Sequence, residues 1–421
     1  MHQDSPMIQT GFKISTAKRH RKCTRRSVIL LFLLASIPAV AQQKDSTSLP
    51  KGKEWYKRIS IRGYAQMRYN RLLVTNKNLG CEQCDKSWGG DNGFFFRRIR
   101  LIIFGQIHER VYIYIQPDFA SSPASGVNNF AQIRDAYFDV GLDRKNEFRL
   151  RFGQSKVPFG FENLQSSQNR LALDRADPLN SALNNERDIG IFAYWAPSKI
   201  RERFAYLVSS GLKGSGDYGV VGFGVYNGQT ANRTEQNGKP VVVMRVSYPF
   251  KFGEQFIEPG LQAYSGSTVV TTLTPDVTSV NHDFEFKDQR LGASLVIYPQ
   301  PFGLNAEYNV GTGPEYNSGT NVIEQRKLKG GYAMASYQAK FGQQLLTPFV
   351  RYQYYDGGKK HELDARSFTV RDLEFGAEWQ PIKPLELVAT YTISSRRYED
   401  DAKRINHQEG SLLRLQMQVN F

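Results

Sequence analysis

Long hydrophobic runs are scarce in this 421-residue chain, whose mean hydropathy is negative. A helix needs about 20 consecutive apolar residues to cross a bilayer. The main apolar stretch, from Val28 to Ala35, is far shorter than that. The sequence therefore excludes a helical membrane protein.

Cysteine is also scarce, with three residues in all. Two of them, Cys81 and Cys84, lie in the segment Gly80-Cys-Glu-Gln-Cys-Asp85 between two strong strand candidates. Redox chemistry or a zinc site would need a reactive helix start or a second pair of ligands, and neither is visible. We expect a small loop disulfide or free thiols, and export would favour the disulfide. The sequence predicts no metal site and no cofactor.

Recognisable catalytic motifs are missing as well. Nucleotide-binding and zinc-hydrolase patterns are absent from the sequence. A barrel phospholipase would need a Ser/His pair with a third, orienting group. We expect His108 at a turn and His282, His361 and His407 in loops, none beside an evident nucleophile. The sequence therefore predicts a protein that is not an enzyme.

The N-terminus has the organisation of a Sec-type signal peptide. The basic segments Lys18-Arg-His-Arg-Lys22 and Arg25-Arg26 precede the apolar stretch, and Ala39-Val-Ala41 follows it as a small-x-small cleavage site. This order is typical of secretory signals. We therefore predict cleavage after Ala41 and export of the mature chain. A membrane anchor is the alternative, but the apolar stretch is too short for one.

The positive charge of the chain falls when the signal is removed. The whole sequence has a formal net charge of +15, and positions 1–41 contain seven basic residues and one acidic residue, which leaves +9. Such an excess favours nucleic acid, lipopolysaccharide or small anions as partners. An exported chain without a clustered basic tract does not fit nucleic acid. We expect small anions and lipopolysaccharide instead.

The last residues alternate strictly between apolar and polar. Leu413, Leu415, Met417, Val419 and Phe421 fall on one side of an extended chain, and Leu412, Arg414, Gln416, Gln418 and Asn420 fall on the other. A terminal strand of this kind that ends on Phe is typical of outer-membrane barrels. We expect it to bind the barrel-assembly machinery. A solvated edge strand of a sandwich is the alternative.

Strand candidates recur along the mature chain, with long polar loops on one side and tight turns on the other. They are Ile59–Leu72, Phe94–Ile107, Val111–Phe119, Gln132–Leu142, Glu147–Val157, Ile189–Trp195, Tyr218–Tyr226, Val241–Tyr248, Phe256–Tyr264, Gln289–Tyr298, Leu304–Val310, Gly330–Gln338, Leu345–Tyr355, Asp372–Trp379, Leu385–Ser394 and Leu412–Phe421. Bacterial single-chain barrels have even strand numbers. We therefore assign a seventeenth candidate, Phe204–Ser210, to an elongated turn or strand extension at 197–217.

These features predict an all-β protein with a 16-stranded antiparallel transmembrane β-barrel. The expected parts are a signal peptide at 1–41, a short periplasmic segment at 42–57 and the barrel at 58–421. The abundant aromatic residues, 13% of the chain, suit strands and membrane interfaces. A closed barrel also satisfies every backbone amide in lipid, which explains how so polar a chain can lie in a membrane. We predict the cell outer membrane as its location.

Arginine dominates the strand register that should face the pore. If the apolar register faces lipid, the inward residues include Arg62 and Arg68, Arg98 and Arg100, and Arg149 and Arg151. Guanidinium groups stay charged and offer paired donors to phosphate or carboxylate oxygens. This wall predicts a channel that attracts anions. In the alternative, the arginines pair with inward acids such as Asp135, Asp139, Glu307, Glu374 and Glu378 and merely hold the barrel shape.

A loop of nearly thirty residues separates the fifth and sixth strands, at about 158–187. So long a loop in a compact fold is usually functional, and in general porins the corresponding third loop bends inward to narrow the channel. Lys156, Arg170, Arg175 and Arg187 would then lie near the constriction. A solvated external lid is the alternative.

Several motifs carry a resemblance to a known family. Arg151-Phe-Gly-Gln-Ser-Lys-Val-Pro-Phe-Gly-Phe-Glu162, Asn185-Glu-Arg-Asp-Ile-Gly190, Gly63-Tyr-Ala-Gln-Met-Arg68 and Phe96-Arg-Arg-Ile-Arg100 resemble the phosphate-selective porin O/P family, particularly its Bacteroidetes-like members. The resemblance spans nearly the whole mature chain. It implies a sixteen-stranded, trimeric outer-membrane channel whose third loop folds into the lumen.

The resemblance also implies roles for individual residues. Family members hold phosphate with clustered Arg and Lys near the constriction, and by motif position Arg97, Arg98, Arg100 and Lys156 correspond here. A second lysine close to Lys156 is absent, and Gln165-Ser-Ser-Gln168 stands in the loop. A broader anion pore therefore stays open, as do a general or sugar-type porin with Tyr64, Tyr112, Tyr114 and Tyr137 as an aromatic slide, and a non-conducting adhesive or structural barrel.

Overall fold

The chain folds into a closed antiparallel β-barrel of sixteen strands, as the sequence predicts. The computed structural model describes residues 55–421 except 82–83, 85–87, 90–92 and 121–129. The strands are β1 (Ile59–Val74), β2 (Phe94–His108), β3 (Val111–Asp118), β4 (Gln132–Gly141), β5 (Phe148–Lys156), β6 (Arg187–Trp195), β7 (Val221–Tyr226), β8 (Val241–Ser247), β9 (Gln255–Val269), β10 (Glu285–Ile297), β11 (Phe302–Asn317), β12 (Val322–Tyr337), β13 (Gln344–Gly358), β14 (Ser367–Ile382), β15 (Leu385–Glu399) and β16 (His407–Asn420). The predicted signal peptide lies outside the described residues.

Each barrel strand pairs with its neighbours in sequence, and β1 pairs with β16 to close the cylinder. At the seam Gly63 N donates to Phe421 O at 2.7 Å, and Phe421 N donates to Gly63 O at 2.9 Å. A Cβ atom at position 63 would come within 2.6 Å of the Phe421 ring and of Arg100 O. Glycine is therefore required where the terminal aromatic ring crosses the first strand. Three further short strands pair with barrel strands: 250–252 with β9, 339–341 with β13, and 278–279, in parallel, with β12.

The two-residue period divides the barrel into an apolar outside and a polar inside. Outward side chains such as Ile61, Leu261 and Leu291 are exposed. Inward Arg68 and Arg414, by contrast, are among the most completely buried side chains. The exposed apolar side chains mark the surface that faces the membrane.

The barrel is uneven in height. Strands β3 to β8 have six to ten residues each, whereas β9 to β16 have thirteen to sixteen. A residue of strand advances the chain by about 3.3 Å. Strands β1 and β2, with 16 and 15 residues, are also long. The six strands β3 to β8 are hereafter the shorter half of the cylinder, and the other ten strands are the taller half.

The connection from β6 to β7 corrects one sequence prediction. Residues Ser198–Ser209 form an α-helix, α3, instead of an extended turn or strand extension. Ile200, Phe204 and Leu207 recur at helical spacing and are all buried. Pro197 fixes the entry to the helix, and the Glu147 carboxylate accepts hydrogen bonds from Ser198 N at 2.8 Å and Ser198 Oγ at 2.6 Å. The apolar run looked like a strand because its helical period spans little more than two turns.

Two shorter helices lie between β5 and β6. They are α1 (Phe161–Leu164) and α2 (Asp177–Ala182), within the loop that the sequence places at about 158–187. Apolar residues of this connection, among them Phe159 and Leu179, form one buried cluster with Phe192, Tyr264 and Met334 of the strands. Part of the barrel interior is thus a packed core. None of the helices in the described ranges is long and apolar enough to cross a membrane.

Candidate functional site

The connection between β5 and β6, residues 157–186, is hereafter the inner loop. Its Glu162 carboxylate pairs with Arg351 of β13 at 3.1 Å, and Asp174 pairs with Arg68 of β1 at 3.2 Å and with Arg414 of β16. These partners lie on inward positions of well-separated strands. The contacts therefore place the inner loop inside the cylinder.

Hydrogen bonds to the loop backbone add to these ion pairs. The Glu307 carboxylate of β11 accepts from Phe161 N and from Glu162 N, both at 2.7 Å. Arg290 of β10 donates from Nη1 to Pro178 O at 3.1 Å. The carboxylate of Asp177 pairs with Arg396 at 3.0 Å and with Lys359. Several strands of the taller half thus hold the inner loop against their side of the lumen.

Four of the predicted basic residues meet at one carboxylate. Glu186 lies 3.5 Å from Lys156, 3.3 Å from Arg170, 3.0 Å from Arg175 and 2.6 Å from Arg187. All five side chains are buried. One negative charge is shared among four positive ones, so the cluster keeps a local positive excess even though Arg187 has a second acid, Asp135, at 2.9 Å.

Backbone strain and electrostatics both single out Glu186. Asn185 and Glu186 adopt left-handed φ values of 59° and 68°, a conformation that non-glycine residues seldom take. Burial alone would raise the pKa of the Glu186 carboxyl, but the four surrounding cations outweigh it and hold that pKa well below its usual range. Glu186 is therefore ionised and acts as a built-in anion.

A β-bulge brings Arg97 to the interior. Gln66 pairs with Arg98 but Met67 pairs with Phe96, so Arg97 is an extra residue in β2. Strict alternation would have turned Arg97 towards lipid. Instead its Nη2 donates to Cys84 O at 3.3 Å, and together with Arg414 and Arg68 it helps to overcome burial and lower the pKa of the Asp174 carboxyl. Arg97 and Arg98 are consecutive in sequence, yet both interact with groups inside the barrel.

Arg98 has an unusual environment. Its side chain is 5% exposed, and Nη1 donates to Gln66 Oε1 at 2.8 Å. It forms no ion pair in the described part of the chain, and its Nε has no hydrogen-bond partner there. Its neighbour Arg100, by contrast, pairs with Asp118 at 2.8 Å. Arg98 is thus a buried guanidinium without a carboxylate among described residues.

Below these clusters lies a cavity of about 750 Å³, here called the lower chamber. Its wall includes five predicted pore residues: Arg62, Arg149, Arg151, Lys156 and Arg187. One turn of the inner loop and one face of α3 complete its lining. The structure therefore divides the predicted residues between the lower chamber and the arginine clusters around the inner loop.

The charges on the two sides of the lumen differ. The basic wall, strands β1 to β6, has eight buried cations (Arg68, Arg98, Arg100, Arg134, Arg149, Arg151, Lys156, Arg187) and four buried acids (Asp118, Asp135, Asp139, Asp188). The acidic wall, strands β8 to β16, has five buried cations (Arg245, Arg290, Arg351, Arg396, Arg414) and eight buried acids (Glu258, Asp288, Glu307, Glu315, Asp372, Glu374, Glu378, Glu386). The lower chamber borders the basic wall.

Sequence reasoning missed some residues of these clusters. Acidic partners were expected only on the strands, so Glu186 and Asp174 of the inner loop were missed, although Glu186 stands directly before Arg187 in the motif at 185–190. Arg134, which is 3.9 Å from Asp118 and donates to Asn185 Oδ1 at 3.3 Å, was also missed. Alternation from inward Asp135 turns Arg134 towards lipid, but a β-bulge between Ile133 and Asp135 brings it inside, so only the strand pairing reveals it.

The segment after β1 carries the two cysteines. Cys81 and Cys84 are joined in a disulfide. Nearby, the ring of Trp88 lies 4.2 Å from the Arg396 guanidinium and 5.4 Å from that of Arg414. This segment therefore covers arginines of the acidic wall.

One histidine lies elsewhere than expected. His407 opens β16, and its Nε2 is 3.0 Å from Ser395 Oγ of β15. Glu409 contacts the same nitrogen, at 3.6 Å, and also accepts from Ser395 Oγ at 3.2 Å. The carboxylate thus does not orient the other ring nitrogen, as a catalytic triad requires. His407 does have a hydroxyl neighbour, contrary to the sequence-based expectation.

A sixteen-stranded barrel with an apolar outer face, a charged interior and a loop held within the lumen defines an outer-membrane porin. Residues 81–421 match the family described as phosphate-selective porin O and P. The chain belongs to this family. A search of curated proteins found no match.

Solved porin structures share the fold at low sequence identity. The outer membrane channel DcaP of Acinetobacter baumannii is 15% identical, with a TM-score of 0.51 over 86% of this chain and 97% of its own. OmpF of Salmonella typhi, in complex with daunomycin, is 14% identical, with a TM-score of 0.52 over 86% and 97%. The trimer form of OmpT of Vibrio cholerae is 8% identical, with a TM-score of 0.51 over 86% and 99%. Such identities indicate a common fold and nothing finer.

Proposed function

We propose that this porin is a passive channel for small anions, with phosphate as a candidate solute. The observation that carries the proposal is the surplus of buried cations on the basic wall, eight against four acids. Arginines at this depth keep their charge. Four of these cations, Arg149, Arg151, Lys156 and Arg187, line the lower chamber, so the wall would attract anions along one side of the lumen.

The arginine pair at the bulge, Arg97 and Arg98, is the first proposed anion-binding position. Arg98 lacks a carboxylate partner in the described ranges, and Arg97, Arg100 and Arg170 contribute positive potential around it. A guanidinium in that setting can bind an oxyanion through paired donors. The second proposed anion-binding position is formed by Lys156, Arg175 and Arg187. The Glu186 carboxylate already provides a negative charge at this position. We therefore propose a channel with modest anion preference and no tight phosphate site.

We also propose a homotrimer in the outer membrane. Strand β7 has six residues and extends about 20 Å, or about 15 Å along the membrane normal at a tilt of about 40°. The apolar band of an outer-membrane barrel is about 25 Å tall. Contact with other copies would cover this short side better than lipid. One similar structure is the trimer form of OmpT.

We also propose that the two termini of the chain direct its export and its insertion into the outer membrane. A signal peptide at 1–41 would direct the chain across the inner membrane. The strand ending at Phe421, which closes the barrel on Gly63, would be recognised by the barrel-assembly machinery. Outer-membrane lipid and lipopolysaccharide would then surround the outer face.

Conductance in planar bilayers tests the anion proposal. A reversal potential under a KCl gradient should show preference for chloride, and phosphate should reduce the chloride current weakly. Preference for potassium would refute the proposal.

The packed cluster of loop and wall residues favours a second candidate, a non-conducting structural barrel. It fills part of the lumen with apolar side chains. The absence of any channel activity from correctly folded protein would support that candidate.

A further inference from the structure

An aromatic row crosses the basic wall at the level of the lower chamber. The rings of Phe104 and Tyr114 have centroids 6.5 Å apart, and Tyr114 stacks on Tyr137 at 5.1 Å with an interplanar angle of 11°. The Arg151 guanidinium continues the row, 3.8 Å from the Tyr137 centroid. An inorganic anion gains little from contact with these rings, because aromatic ring faces bind other flat or apolar faces.

Two side chains beside this row have unused binding capacity. Tyr112 lines the chamber, and in the described part of the protein its ring contacts no other ring and its hydroxyl makes no hydrogen bond. Arg62 also lines the chamber, is exposed and lies 5.0 Å from the Phe104 centroid. It has no carboxylate partner among the residues that the structure describes. One ring face and one guanidinium therefore face the same space.

The acids of the chamber would not repel an anion strongly. Asp139 accepts two hydrogen bonds from Arg151, at 2.7 Å and 2.9 Å. Asp135 accepts two from Arg187, at 3.0 Å and 2.9 Å. Asp217, a third lining acid, pairs with Arg149 and with Arg201, both at 2.8 Å. Because guanidinium groups neutralise these three carboxylates, the lining charges without an ion pair among described residues are the cations Arg62, Arg110 and Lys145 and one acid, Glu202.

The size of the chamber suits an organic solute. Ligand sites for small organic molecules occupy about 300–1,000 Å³, and the lower chamber measures about 750 Å³. Helix α3 contributes Arg201 and Ala205 to its lining. A solute that enters can thus be surrounded on several sides.

We propose that the lower chamber is a second solute site that binds ring-bearing organic anions, with Tyr112 against the ring and Arg62 on the anionic group. The inference rests on the proposed anion channel and deepens it by naming a solute class. Aromatic acids and sugar phosphates share this chemistry, a ring face joined to an oxyanion.

Block of the chloride current by added solutes tests the site on the intact protein in planar bilayers. Benzoate and glucose 6-phosphate should each block more strongly than inorganic phosphate. Tyr112→Ala should weaken that block about fivefold, as expected for one aromatic contact, and leave phosphate block unchanged. Tyr112→Phe should retain it, and Tyr352→Ala, a change on the outer face, should have no effect. If benzoate blocks more strongly than glucose 6-phosphate, the solutes of this site are aromatic acids. If glucose 6-phosphate blocks more strongly than benzoate, they are sugar phosphates.

Two results would overturn the site. One is equal block by neutral glucose and glucose 6-phosphate, since Arg62 would then have no part. The other is unchanged block of the chloride current by benzoate and glucose 6-phosphate in the Tyr112→Ala variant. If either result is obtained while the wild-type protein still prefers chloride, only the solute site in the lower chamber is refuted. Loss of that preference in the wild-type protein would refute the channel proposal itself.

Discussion

The basic wall and the acidic wall use the same residue, arginine, for different purposes. On the acidic wall Arg351 lies between two carboxylates, Glu162 at 3.1 Å and Glu374 at 3.5 Å, and Arg290 holds a loop carbonyl. On the basic wall Arg98 has no carboxylate partner among described residues. An inward arginine therefore indicates neither structure nor anion attraction until its partners are known.

The position of the inner loop explains this difference. The loop presents Glu162, Asp174 and Asp177 to Arg351, Arg414 and Arg396, which belong to the taller half of the barrel. Those arginines are occupied in holding it. The lower chamber remains along the shorter half, where cations exceed acids.

Removing charge from the basic wall should have the largest effect on selectivity. Replacing Arg98, Arg100, Arg149 and Arg151 together by glutamine leaves four buried cations against four buried acids on this wall. We expect the preference for chloride in reversal-potential measurements to vanish. Glutamine at Arg326, Lys327, Lys329 and Arg371, four exposed positions, removes equal charge as a control and should leave the preference in place. An unaltered preference in the first variant would contradict the basic wall as the path of anions.

Single substitutions should separate stability from selectivity. Arg351→Gln leaves Glu162 without its guanidinium and Glu374 with Arg414 alone, at 3.3 Å, and stranding buried charge costs about 3–5 kcal/mol. Arg98→Gln loses one hydrogen bond, worth about 1 kcal/mol. We therefore expect urea unfolding of Arg351→Gln at much lower concentration than Arg98→Gln, while Arg98→Gln shifts the reversal potential more. The reverse order would break the comparison between the walls.

Neutralising the built-in anion should strengthen anion binding. Glu186→Gln keeps the side-chain shape but leaves Lys156, Arg170 and Arg175 without the carboxylate that they share. We expect phosphate to block the chloride current about tenfold more strongly, equivalent to about 1.4 kcal/mol. Glu409→Gln, an exposed carboxylate of β16, is the matched control. Unchanged block in Glu186→Gln would show that anions do not approach this cluster.

Acidification should have the smallest effect. Arginine stays charged, and the cations around Glu186 and Asp174 overcome burial to keep both pKa values well below the usual range. A carboxyl with a depressed folded-state pKa contributes stability above its unfolded pKa and loses it as pH falls through the folded value. We therefore expect the contributions of these two carboxylates to selectivity and stability to stay constant between about pH 5 and pH 8. A change of reversal potential within that window would reveal another titrating group.

Local pattern was enough to predict the strands, their inward register and the arginine-rich interior, since strand periodicity is a property of neighbouring residues. It failed at Phe204–Ser210, where a short run with buried residues three and four apart forms α3. The alternation rule also fails at Arg97, because the bulge in β2 shows only when strands are paired.

Strand periodicity alone predicts a barrel with guanidinium groups on its inner face. Which of these groups are neutralised depends on the three-dimensional fold. Closing the cylinder brings Arg68 and Arg414 together from opposite ends of the chain, and the inner loop supplies Asp174 to both. Charge pairing depends on distances between residues that are remote in sequence, and no local pattern encodes those distances.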